Sequence, residues 1–61
     1  MPVVIVNMYA GIDKEAKRRI ADGITKVFVA EKVPKDAVTV ILNDISKDNW
    51  ANAGELASDC R

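Results

Sequence analysis

Two apolar runs separated by a segment of different period set the order of elements in this chain. Pro2-Val3-Val4-Ile5-Val6-Asn7-Met8-Tyr9 is β-branched and almost continuously apolar. That pattern predicts a strand buried on both faces rather than one alternating between core and water. Gly11 breaks the run. Asp13 is placed to cap a helix, and Glu15 lies in its positive first turn. From Lys14 to about Lys32 the spacing is helical, with Ala16, Ile20, Ile24, Val27 and Phe28 forming one stripe. Lys14, Lys17, Arg18, Asp22 and Lys26 fall mostly off that stripe, so Lys17-Arg18-Arg19 reads as a solvated helix face rather than a binding patch. Gly23 weakens the helix by up to ~1 kcal/mol relative to Ala, which predicts a close packing partner over it. Val33-Pro34 ends the helix because the residue before a proline is pushed out of the α region.

Ala37 to Asp44 reads as a second buried strand. Two strands joined by a helical crossover of this length make a parallel, right-handed β-α-β unit. One helix cannot cover both faces of such a sheet, and its open edges invite pairing with copies of the same chain. After Ser46 the periodicity is lost. Asp48-Asn49-Trp50-Ala51-Asn52-Ala53-Gly54 is turn-rich around one large aromatic, and Glu55-Leu56-Ala57 is placed to form a short arm toward a neighbour. There is no repeat or linker, so residues 1–61 form a single domain.

Size sharpens the argument for association. A domain of about 60 residues buries only ~60% of its unfolded surface and is marginal without a staple. The lone thiol, Cys60, forms no intrachain disulfide, and with no His in the chain the usual zinc sets cannot be assembled. Oligomerisation is the remaining device. Nine Lys+Arg balance nine Asp+Glu, which argues against a nucleic-acid or anionic-membrane partner. No apolar run approaches a membrane span and no secretory signal is visible, so the expected compartment is the cytoplasm.

Without imidazole, Ser-His-Asp and Cys-His catalysis are excluded. A proton-transfer group must then be a carboxylate, a Lys, Tyr9 or the chain terminus. Asp44 and Asp48 flank the end of the second strand, but loop acids are ordinarily solvated. Cys60 lacks a base partner, and Tyr9 reads as closing the strand. Pro2 is different. Excision of Met1 is expected, because the second residue is small. It would leave a secondary amine on the first residue of a buried strand. Burial among Val3, Val4, Ile5 and an aromatic such as Trp50 disfavours the ammonium form and lowers the amine's pKa. A neutral amine near pH 7 is a competent general base, and its conjugate acid returns the proton.

Met-Pro-Val-Val-Ile-Val, the Gly11 break, the long helix, the strand Val38-Thr39-Val40-Ile41-Leu42 and the tail Trp50-Ala51-Asn52-Ala53-Gly54-Glu55-Leu56-Ala57-Ser58 together resemble the 4-oxalocrotonate tautomerase family. The resemblance covers essentially the whole chain, and the tail is its most specific part. It implies an α/β (α+β) fold of one β-α-β unit with a short C-terminal hairpin, assembled as a homohexamer that completes the sheet. It also implies a cofactor-free isomerase acting on a small-molecule carbonyl or enol, of the 2-hydroxydienoate or 2-oxo acid type. In that chemistry Pro2 is the catalytic base and acid, and Trp50 is the pocket aromatic that keeps the amine dry.

The family's two usual arginines are absent. Their matching positions are Ile12 and Thr39, which line the expected site but hold no carboxylate as a guanidinium fork does. Desolvation then carries more of the shift in the amine's pKa. A monocarboxylate or neutral carbonyl substrate fits this mouth better, unless Lys47, Lys14 or Arg61 supplies a cation across a subunit boundary. Two alternatives stand beside the isomerase: a non-catalytic oligomeric protein of the same fold, and a hydratase- or dehalogenase-like enzyme using protonated proline.

Overall fold

A computed structural model of the chain describes residues 1–60. Strand β1 (Val3–Tyr9) leads into helix α1 (Lys14–Ala30), which crosses to strand β2 (Thr39–Ile45); a hairpin of β3 (Ala51–Asn52) and β4 (Glu55–Leu56) follows. Strands β1 and β2 pair in parallel, from Val3 opposite Thr39 to Tyr9 opposite Ile45. The ladder extends one step beyond each end, through Thr39 N–H to the Pro2 carbonyl at 3.0 Å and Ala10 N–H to the Ile45 carbonyl at 2.9 Å. The architecture is the expected β-α-β unit of mixed α and β class, with its small hairpin.

Helix α1 begins where the sequence places it. The Asp13 carboxylate accepts the Ala16 N–H at 2.8 Å, which satisfies one of the free amides of the first turn, and Glu15 sits in that turn. The helix stops two residues before Lys32. Lys32 adopts a left-handed φ of 69°, its N–H reaches the Val29 carbonyl, and the Val33 N–H reaches Phe28. This is a Schellman cap, so the helix is already closed before Pro34 acts.

In the sheet, burial alternates. Val4, Val6 and Met8 are half-buried beneath α1 together with Val40 and Leu42, while Val3, Ile5 and Asn7 point to the other face with Thr39, Ile41 and Asn43. Nothing among the described residues covers that second face: Val3 is 58% and Ile5 60% exposed, and the Asn43 amide donates to Asn7 Oδ1 at 2.9 Å across it. Among the described residues none is fully buried. The continuous apolar run predicts a strand buried on both faces; within one chain only one face is covered, because the one α-helix among the described residues lies on one side.

Helix α1 departs from the expected stripe at two places. Ala16, Ile20, Ile24 and Phe28 are half-buried, but Val27 is 64% exposed, and Ala21 and Thr25 occupy the covered side instead. The covered side follows an i, i+4 row inclined to the helix axis, so by the last turns it has moved toward Thr25 and Phe28 and away from Val27. Lys17, expected in solvent, is half-buried and reaches Asp44 on β2 at 2.6 Å. No side chain packs over Gly23, where an added Cβ meets nothing within 4 Å. Among the described residues no helix is long and apolar enough to cross a membrane.

Candidate functional site

Parallel pairing decides where the candidate residues lie. Pro2 stands at the amino end of β1, its carbonyl held by Thr39 N–H, so Pro2 and Thr39 are neighbours. Pro2 is half-buried, and the Met1 residue on its nitrogen is 95% exposed. Ile12 lies in the loop after β1, and Trp50 follows β2 and a short 3₁₀ turn at Lys47–Asn49; both belong to the opposite end of the sheet. Seven strand residues rising ~3.3 Å each put the two ends about 20 Å apart. One chain therefore brings Pro2 together with Thr39, and Trp50 together with Tyr9, but does not bring the two groups to one place. Trp50 is not part of the surroundings of Pro2 within its own chain.

The carboxyl end of the sheet is the more elaborate. Tyr9 meets Trp50 with ring centroids 4.7 Å apart and planes inclined by 63°, an edge-on contact between the end of β1 and the residue entering the hairpin. The Lys47 ammonium lies 5.5 Å from the centroid of the Tyr9 ring, within cation–π range. These three side chains, with Asn52, Glu55, Ala57 and Cys60, line an open cavity of about 470 Å³. The hairpin presents the polar wall. Asn52 and Glu55 are directly opposed in the β3–β4 register and so project to the same face. Ala53 and Gly54 turn the chain with φ of 55° and 82°, the left-handed pair that a tight two-residue hairpin requires. Ala57 N–H donates to the Trp50 carbonyl at 2.7 Å and closes the hairpin at its base.

Sequence reading missed Asn52 and Glu55 as wall residues. The available signal was the turn pair Ala53-Gly54, which fixes their register; the sequence reading takes residues 48–54 as turn-rich and Glu55-Leu56-Ala57 as a short arm. Other candidates fall away. Asp44 is engaged by Lys17 on α1 at 2.6 Å. Cys60 donates its thiol to Glu55 Oε2 at 3.7 Å. Of the cations considered, Lys47 lines the cavity, Lys14 is exposed at the start of α1, and Arg61 lies outside the described residues. Lys26, whose pKa is raised by the Asp22 carboxylate bonded to it, is on the exposed side of α1.

Known proteins share this arrangement over nearly its whole length. A family model described as tautomerase enzyme matches residues 2–59. A probable tautomerase of Ralstonia nicotianae is 43% identical over 58 residues, covering 92% of this chain and 88% of that protein. The 2-hydroxymuconate tautomerase of Comamonas testosteroni is 32% identical over 60 residues, covering 97% and 95%. A solved structure of a 4-oxalocrotonate tautomerase homologue superimposes with a TM-score of 0.87 at 32% identity, covering all of this chain and 98% of its own. A β-α-β unit opening on Met-Pro, closed by an aromatic hairpin and matched over all but its outermost residues, places the chain in the tautomerase family.

Proposed function

We propose that the protein is a cofactor-independent keto–enol tautomerase in which Pro2, freed by removal of Met1, moves the proton. The observation that carries this reading is the position of Pro2. Its carbonyl is locked into the β1–β2 ladder while its nitrogen bears only the solvent-exposed Met1. Excision converts that amide nitrogen into a secondary amine whose ring is already fixed at the head of a strand, so little freedom is lost on reaction. As a neutral base it takes the proton from an enol hydroxyl; as a cation it delivers one to the carbon terminus of the same conjugated system.

The separation of the two ends supports an oligomeric site. Each chain offers an amine end and an aromatic end on one sheet, and both strands run the same way. Two copies set head to tail bring the amine end of one against the Tyr9–Trp50 corner of the other. Trp50 of the neighbouring copy then supplies the dry wall that its own Pro2 lacks, and excluding water is what keeps the amine neutral near pH 7. A homohexamer, as the family resemblance implies, provides such contacts repeatedly. The substrate class is a small unsaturated 2-oxo acid or its enol, and Ile12 and Thr39 line the mouth without adding charge.

Mass spectrometry of the protein from its native cell is expected to give the mass of the chain lacking Met1. Ketonisation of phenylenolpyruvate and 2-hydroxymuconate is expected to fall about 10²- to 10⁴-fold in Pro2→Ala, the range of general acid–base catalysis. The wild-type rate should also rise with pH as the Pro2 amine deprotonates. Equal rates for the two proteins would remove the proline mechanism, and a retained Met1 would favour the non-catalytic reading.

A further inference from the structure

The cavity beside Trp50 sets a cation against an aromatic surface. Lys17, Arg18 and Lys26 are each paired with a carboxylate, through Asp44, Glu15 and Asp22. Lys47 has no such partner among the described residues, and its ammonium is held instead over the Tyr9 ring, whose edge-on neighbour is Trp50. Cation, flat apolar surface and cavity therefore coincide. The remaining polar groups on the wall are the Asn52 amide and the Glu55 carboxylate. About 470 Å³ is within the range of small-ligand sites.

Resting on the tautomerase reading, we propose that Lys47 sets the substrate specificity of the site. Its ammonium takes the carboxylate of a planar, conjugated monocarboxylic acid whose unsaturated body lies against Trp50 and Tyr9, and Glu55 turns away acids bearing a second carboxylate. Each part follows from the wall chemistry. An ammonium and a carboxylate form a charge-assisted hydrogen bond. The aromatic faces favour a flat partner. A second anion in the same cavity meets Glu55, and like charges repel most where water is partly excluded. Ile12 and Thr39 contribute no cation to offset that repulsion.

Trp50 is the only tryptophan in the chain, so its fluorescence reports occupancy of this cavity without turnover. Wild type, Lys47→Gln, Lys47→Arg, Glu55→Gln and Pro2→Ala are titrated with trans-cinnamate, its methyl ester and adipate. Wild type is expected to bind the free acid about tenfold more tightly than the ester, a typical margin for a hydrogen bond to a charged group. Lys47→Gln brings the acid down to the level of the ester, Lys47→Arg restores the preference, and Glu55→Gln strengthens adipate. Acid and ester binding wild type alike, or Lys47→Gln keeping the preference, overturns the proposal. Pro2→Ala separates the two readings. If it retains the acid preference while losing ketonisation, both stand; if it ketonises at the wild-type rate, the proline mechanism falls while the titration still decides the role of Lys47.

Discussion

Replacing Ile5 by Asp tests whether the open sheet face is a subunit interface. The isolated chain exposes 4872 Å², whereas a folded monomer of this mass is expected to expose about 3,900 Å². The surplus of roughly 1,000 Å² is comparable to one partner's share of a stable protein interface. Its Cα radius of gyration is 14.6 Å, against about 10.5 Å for a compact domain of this length. Val3, Ile5 and Ile41 stand uncovered on one sheet face. Ile5 is 60% exposed, so covering the remainder contributes about 1–2 kcal/mol per protomer. Asp at this position forfeits that contribution and also leaves a carboxylate unpaired in an apolar contact, at several kcal/mol. Each protomer's association should then weaken by a factor of about 10³ or more. Sedimentation velocity at micromolar concentration, with circular dichroism on the same samples, is the assay. Wild type is expected to sediment as an oligomer and Ile5→Asp as a monomer with weakened helix signal. A wild-type protein that is a folded monomer, or an Ile5→Asp variant that sediments like wild type, would refute the argument from exposed surface.

Two further predictions concern local conformation. Gly23→Ala should raise stability by about 0.5–1 kcal/mol in denaturant titration, because an added methyl meets nothing within 4 Å and Ala is the better helix former; destabilisation would mean that a neighbouring copy packs there. Ala53→Asn should stabilise the hairpin by about 0.5–1 kcal/mol, since Ala53 sits at φ 55° where Asn is preferred before Gly. An unchanged or lower midpoint in the same titration would contradict that account of the turn.

Much of the fold was legible because it rests on local signals. Asp13 caps α1 as its position suggested, since a carboxylate before a helical run has free amides to accept. The strand run Val3–Tyr9 and the turn residues around Gly54 likewise act through neighbours in sequence. Where reading failed, the deciding contact was distant. Nothing near Lys17 in sequence points to Asp44 on β2, and nothing near Val27 shows that it turns away from the sheet.

By itself, the sequence determined the β-α-β order, the absence of imidazole, and the placement of Pro2 at the head of a strand. These follow from residue type and periodicity, which are properties of the chain before it folds. Tertiary structure alone decided that Pro2 and Trp50 occupy opposite ends of one sheet and that Lys47, Tyr9 and Trp50 share a corner. Distances between residues far apart in sequence are fixed only when β1 and β2 align in parallel and the hairpin folds back. That is the physical reason a single copy holds both halves of the candidate site without joining them.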